Sequence, residues 1–327
     1  MNLRESFELH RNAVQLELEQ QREAGIKLGY FYALMNIAKE MNPLGGPRTA
    51  EEIWIDYLSF LRTVEEHKKS PYSFLEWDEV HGREHLQHTL QEGGAFLTFH
   101  YGFVRHNMVT IGQEIRKGYY REGLPFYLVA ERDTVMQEKQ LDKWESIRKY
   151  SRAEMLNSQD ELIGIKLYSH LKKGGCFSLF VDGQTGYNTD NYQLQLPFLT
   201  SNIRTRSGIF RILSKAKKPV CLYFMTMTAD YKSRIVFLPP FQPSEDVQHI
   251  AEQIYGPFRA QLLQQPEQWR FWDRHHEQVL AWKSEETTAP SSPIGPPRLD
   301  WISRPVEGFG QLGMNLQQAE VYNLSLS

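Results

Sequence analysis

The apolar run AFLTF over 95–99 reads as a buried strand, and it stops at His100. A second apolar run, CFSLFV from 176, is tipped by Asp182 and followed by Gln184. An imidazole with a free pKa of about 6.5 can take and return a proton at neutral pH. Open α/β sheets bind ligands beyond the carboxyl ends of their strands, so Asp182 occupies a site position on topology alone. Arg132, Arg204, Arg206 and Arg211 supply guanidinium groups, which pair bidentately with phosphate. Arg204 and Arg206 are expected near a helix start, where backbone N–H groups also favour anions. The plainer alternative is that some of these arginines only cover a helix surface.

Other candidates carry less. His81, His85 and His88 stand at helical spacing, but no cysteine or carboxylate pattern completes a ligand set, and no metal is expected. VDGQTG has glycines after a strand but lacks the G-x-G-x-x-G spacing and the lysine of a phosphate loop, which argues against a nucleotide site. His275 and His276 read as surface residues at the end of the last helix. The two cysteines, Cys176 and Cys221, fall in apolar runs, where a free thiol behaves as a small hydrophobe and fits a reducing cytoplasm.

These residues need a scaffold, and the chain is long enough to supply one. Its 327 residues, 41% hydrophobic and 13% aromatic, suffice for one large α/β domain or two modest ones. Helical spacing of Leu3, Phe7, Val14, Leu18, Ile26, Tyr30, Leu34 and Ile37 predicts one long or broken helix, weak at Gly25 and stopped by MNPLGGP. A second helix should start at Thr49, with Glu52 reaching back to complete the cap. Strands are expected at 73–80, 95–99, 125–130, 176–182, 220–228 and 234–240. Helices are expected at 81–91, 135–150, 159–173, 203–216 and 246–264. Strands alternating with helices predict a mixed or largely parallel sheet covered on both faces.

The expected organisation is a helical segment over 1–68, an α/β domain over 69–282, a linker over 283–298 and a tail over 299–327. The linker reading rests on KSEETTAPSSPIGPPR, which is rich in proline and serine. For the tail, packing back on the protein, binding a partner and a loose terminus all stay open. A net charge of -3 supplies no global attraction for nucleic acid or anionic lipid. The amino-terminal residues carry no apolar stretch of signal-peptide type, and no segment reaches the roughly twenty apolar residues of a spanning helix. A soluble, cytoplasmic protein is expected, with membrane contact at most peripheral, through the first helix.

The segment GGAFLTFHYGFVRHN resembles the signature of the bacterial lipid A biosynthesis (lauroyl/myristoyl) acyltransferases, members of the lysophospholipid acyltransferase-like superfamily. In that signature a buried strand ends in a histidine, with a small residue two positions on and an acidic one five positions on. His100 and Gly102 match; the acidic position is Arg105. LVAERDTVMQEKQLDKWESIRKY resembles the next block, with Arg132 and Arg148 as its basic residues. KKGGCFSLFVDGQ resembles the block whose strand is tipped by an aspartate, here Asp182, followed by Gln184. LPFLTSNIRTRSGIFRILSKAKKPVCLYF resembles a block that Thr205 and Gly208 match, made unusually basic by Arg204 and Arg206. PEQWRFWDRHH resembles the closing motif through Trp269, Trp272 and Arg274. Together these blocks cover about 70–282 in the family order.

The resemblance implies a glycerolipid acyltransferase-like α/β fold with an amino-terminal helical segment, and acyl transfer from a thioester. Acyl carrier protein or coenzyme A would be the donor, no cofactor would be tightly bound, and His100 would be the base. A neighbouring carboxylate ordinarily fixes the tautomer of such a base and stabilises its imidazolium. Arg105 would do the reverse, since a nearby fixed positive charge disfavours imidazolium. Three readings follow. The carboxylate comes from elsewhere, Asp182 first and Asp133 next; or His100 and Arg105 bind an oxyanion or phosphate of an altered substrate; or the site binds without catalysing. Gly102, Arg132, Asp133, Gln184, Arg204, Thr205 and Arg206 are the candidate substrate-binding residues.

Family members that modify lipid A usually carry an amino-terminal membrane helix, and a charged amphipathic helix stands there in this sequence. A soluble or carrier-bound acceptor offering a hydroxyl or amine is therefore expected, in specialised-metabolite or lipid biosynthesis. A thioester hydrolase or cyclase, and a non-catalytic protein that shelters a carrier-bound intermediate, are the alternatives.

Overall fold

The computed structural model describes residues 2–69, 77–104, 107–139, 151–184, 186, 193–282 and 301–324. The fold is mixed α/β, a sheet flanked by helices with a helical segment at the amino terminus. The chain forms two compact units that are not consecutive in sequence. One comprises Met1–Glu66, Gln195–Arg204 and Arg259–Ser327, the other His67–Leu194 and Thr205–Phe258.

The second of these units is built on a seven-stranded sheet. Its strands are β1 (Glu79–His81), β2 (Ala95–Thr98), β3 (Phe126–Ala130), β4 (Ala153–Asn157), β5 (Cys176–Phe180), β8 (Val220–Met227) and β9 (Ser233–Phe237), in the order β1-β9-β8-β2-β5-β3-β4. β2 pairs in parallel with β5 and β8, and β3 in parallel with β5 and β4. β9 runs antiparallel to β8 and parallel to β1. Five neighbouring strands therefore deliver their carboxyl ends to one edge. All residues of β2 and β8 are buried, which is why both read as unbroken apolar runs without alternation. Helices Arg83–Glu92, Asn107–Glu114, Arg132–Lys139, Ile163–Lys172, Gly208–Ala216 and Val247–Gln264 connect the strands or follow them.

Several expectations are corrected in detail. Of the strand expected over 73–80, residues 77–80 are described, and a strand, β1, forms only from Glu79 to His81; 70–76 lie outside the described residues. The helix expected over 135–150 begins at Arg132, and 140–150 lie outside the described residues. The helix expected over 203–216 begins only at Gly208, because Ser201–Arg206 forms a strand, β7, whose residues alternate between buried and exposed. Ile203 and Thr205 are β-branched and point inward, so a period of two wins over the helical propensity of the arginines between them. β4 was not foreseen at all.

In the other unit, Gly25 takes a left-handed φ of 93° and separates the helices Leu3–Ala24 and Leu28–Met41. Thr49 and Glu52 cap the next helix reciprocally, the Thr49 N–H donating to Glu52 Oε2 at 2.7 Å and the Glu52 N–H to Thr49 Oγ1 at 3.2 Å. β6 (Gln193–Pro197), β7 and β10 (Val279–Trp282) form a three-stranded sheet in the order β10-β7-β6. Residues 301–323 fold into an antiparallel meander of β11 (Trp301–Val306), β12 (Gly310–Asn315) and β13 (Glu320–Asn323), which contacts the helix Leu28–Met41. Trp54, Trp269 and Trp272 are buried in this unit.

His275 is also buried there, 1% exposed, which corrects its reading as a surface residue. Its Nε2 lies 2.7 Å from Glu40 Oε1, and Glu40 also accepts from the Thr200 N–H at 2.6 Å and from the Ser201 hydroxyl. His276 is half-buried, its ring 4.5 Å from that of Tyr32.

Candidate active site

The register of two adjacent strands brings the principal candidates together. β2 and β5 pair with Ala95 opposite Phe177 and Thr98 opposite Phe180. Carried two residues beyond both strands, the same register sets His100 opposite Asp182. The Val181 N–H still donates to the Thr98 carbonyl at 2.8 Å. The Asp182 carboxylate then accepts from the His100 backbone N–H at 3.0 and 3.1 Å. Its Oδ1 also lies 2.9 Å from His100 Nδ1. An ionised carboxylate only accepts, so Nδ1 is the protonated ring nitrogen and Nε2 carries the lone pair of the neutral ring. The Asp182 side chain is 2% exposed and that of His100 26%, so the carboxylate is sheltered while the imidazole reaches solvent. Phe180 stacks on the imidazole with ring centroids 4.5 Å apart, which restricts its rotation from a second direction.

Gly102 serves the turn that follows. Its φ is 68°, and a Cβ there would fall 1.5 Å from the Met225 carbonyl oxygen, which accepts from the Phe103 N–H at 2.9 Å. The chain leaving His100 thus passes against β8 too closely for any side chain, a backbone reason for the small residue.

Two of the loops that carry remaining candidates follow β5 and β3, neighbouring parallel strands of the sheet. Gln184 is half-buried in the loop after Asp182. Arg132 and Asp133 follow β3 and are exposed, with the Arg132 N–H donating to Gln159 Oε1 at 3.2 Å. Of the two carboxylates considered as partners, Asp182 is the one with a bond to His100. Thr205 is buried, its hydroxyl 2.9 Å from that of Tyr255. Arg206 Nη1 borders Gly186, where a Cβ would approach it to 3.0 Å. Arg204 belongs to the other unit, exposed, and its Nη2 donates to the Glu277 carbonyl at 3.2 Å. Both arginines stand on β7 and not in the first turn of a helix, which removes the helix-start argument for anion binding. Arg211 lies within the helix Gly208–Ala216. Arg105 and Arg148 lie outside the described residues. His81 stands on β1, 3.3 Å from Glu79, whereas His85 and His88 stand on the following helix.

The model of the bacterial lipid A biosynthesis acyltransferase family matches residues 58–276. The chain belongs to that family. Family membership brings acyl transfer in lipid biosynthesis as its general activity. No curated protein matches the chain. Among the described residues of this acyltransferase-family chain, no helix is long and apolar enough to cross a membrane.

Tyr255 and Phe180 are the site neighbours that the sequence did not reveal. Phe180 reads as one more apolar strand residue, and its contact follows only from the strand register. Tyr255 lies on a distant helix, Val247–Gln264, where a tyrosine on an apolar face signals core.

Proposed function

We propose that the protein moves an acyl group from a thioester of an acyl carrier protein or coenzyme A to a hydroxyl or amine acceptor, with His100 as the base. The observation that carries this reading is the bond from His100 Nδ1 to the buried Asp182 carboxylate, which leaves the lone pair on Nε2 of a partly exposed ring. Nε2 takes the proton of the acceptor as its oxygen or nitrogen attacks the thioester carbonyl. The tetrahedral intermediate collapses, the carbon–sulfur bond breaks, and the imidazolium returns the proton to the departing thiolate. Asp182 holds the tautomer and stabilises the imidazolium between these two transfers. In this reading Asp182 takes the part that the family signature gives to the acidic residue five positions after the histidine, where Arg105 stands.

Arg132, Arg206 and Gln184 are assigned to the donor, whose phosphates suit guanidinium and amide donors. Asp133 and Thr205 are the further candidate contacts, and Gly102 keeps the loop beside His100 closed against β8. A cytoplasmic location and a carrier-bound or soluble acceptor go with this reading.

The test is mass-spectrometric detection of acyl transfer from a panel of acyl carrier protein and coenzyme A thioesters to hydroxyl and amine acceptors. Wild type is expected to transfer acyl groups from at least one donor and His100→Ala to lose at least about 10²-fold in turnover. Equal turnover by the His100→Ala protein would overturn the assignment. Free acid released without an acceptor would point to a hydrolase.

A further inference from the structure

The chain as a whole carries a net charge of -3, yet two neighbouring helices of the α/β unit carry charge of one sign. Ile163–Lys172 (IGIKLYSHLK) and Gly208–Ala216 (GIFRILSKA) contain Lys166, Lys172, Arg211 and Lys215 and no acidic residue. The two pack side by side, and a Cβ on Gly164 would touch Ile212 Cδ1 at 3.8 Å. Leu167, His170 and Leu171 are buried in the first helix, and Phe210, Leu213 and Ala216 in the second. The four basic side chains are exposed.

The first helix also turns apolar side chains outward. Leu162, at its amino cap, is 49% exposed, Ile165 67% and Tyr168 36%, a row with a spacing of three residues on the side away from Leu167. One exposed leucine would be ordinary, whereas a row on one face marks a surface that something apolar covers. The Lys172 ammonium stands over the Tyr168 ring, 5.9 Å from its centroid. Asp160 and Glu161 precede the helix, and Asp160 Oδ2 accepts from Lys166 Nζ at 2.6 Å, which neutralises part of that acidic entrance. The helix follows the carboxyl end of β4, on the sheet edge where β2 and β5 lead into His100 and Asp182.

Apolar side chains flanked by cations, with a tyrosine at their boundary, have the chemistry of a contact with anionic lipid: the apolar groups enter the acyl boundary while the cations meet headgroup phosphates. We propose that the outward face of Ile163–Lys172, flanked by Arg211 and Lys215, docks the protein reversibly on an anionic bilayer. Acyl transfer adds a chain to whatever acceptor is used, so a docked enzyme releases its product beside a bilayer that the new chain can enter. An acidic carrier protein would meet the same lysines. Ile165 projects from the surface, which suits a fluid boundary that closes around it better than a folded partner. The docking does not depend on which residue is the base.

The test is co-sedimentation of the full chain, without substrate, with vesicles of phosphatidylcholine alone or with about one third phosphatidylglycerol. Wild type is expected to bind the anionic vesicles at about 0.1 M salt and to leave them at about 1 M, where the Debye length falls from about 10 to about 3 Å. Ile165→Glu, and separately Lys172→Glu combined with Lys215→Glu, should each weaken binding at least about tenfold while melting like wild type. Leu9→Glu combined with Leu16→Glu removes the exposed leucines of the first helix of the chain and should bind like wild type. Three results overturn the proposal: wild type that stays off anionic vesicles; binding lost in the Leu9 and Leu16 variant but kept by Ile165→Glu; or wild type that ignores vesicles and retains an acidic acyl carrier protein through Lys172 and Lys215.

Discussion

Two of the histidine–carboxylate pairs among the described residues, His100–Asp182 at 2.9 Å in one unit and His275–Glu40 at 2.7 Å in the other, invite comparison. Their surroundings differ. Both side chains of the second pair are 0% exposed, and Glu40 is further engaged by Thr200 and Ser201. In the first pair the acid is sheltered and the imidazole is open. A paired imidazole is chemically competent in both, but only one offers a ring to an incoming substrate. The closed pair ties the end of the helix Leu28–Met41 to the β6–β7 turn and the segment around His275, and its contribution is to stability.

This contrast can be broken experimentally, and the largest effect is expected at the closed pair. Glu40→Ala strips a buried histidine of its partner and should cost about 3–5 kcal/mol of folding stability, measured by denaturant unfolding. The same measurement on His100→Ala should give about 1 kcal/mol, because the backbone N–H still donates to Asp182. Equal costs would dissolve the distinction. Next in size is the effect on turnover. Asp182→Asn should lower kcat by about 10²-fold while the melting temperature moves little, since the amide can keep the hydrogen bond but not the charge.

The pH dependence of stability sharpens the comparison from another side. Burial alone would raise the Glu40 carboxyl, but His275, Ser201 and Thr200 together hold it below its ordinary value of 4.5. A carboxyl lowered in the folded state contributes stability in full above that value and loses it as the pH falls through the folded one. Thermal melts should therefore decline more steeply below pH 4.5 for wild type than for Glu40→Gln; identical slopes would remove Glu40 from the account. The smallest effect is expected at Phe180. Phe180→Leu keeps an apolar strand residue but removes the stack on His100, and kcat should fall about three- to tenfold, a loss of the size of one ring contact. An unchanged kcat would leave the Asp182 bond as the feature that orients the ring.

Much of this was legible in the residues themselves. The strands of the large sheet announce themselves because β2, β5 and β8 are buried on both faces and so read as continuous apolar runs. His100 and Asp182 stood out as residues that end such runs. Their pairing was ranked first but could not be derived, because the register of β2 on β5 is a property of the sheet and not of either segment. β7 was missed because Arg204 and Arg206 are helix formers in isolation, and only its packing reveals the inward Ile203 and Thr205. His275 was misread because burial of an imidazole requires a distant acid, Glu40, that lies 235 residues away. Tyr255 was invisible for the same reason, as its partner Thr205 lies 50 residues away.

The central claim is that His100 and Asp182 act as one unit, and a double-mutant cycle on acyl-transfer turnover tests it most directly. Residues of one unit lose their effects together, so His100→Ala with Asp182→Asn should be no slower than His100→Ala alone. Losses that multiply, with the double variant slower than His100→Ala by the full Asp182→Asn factor, would contradict it.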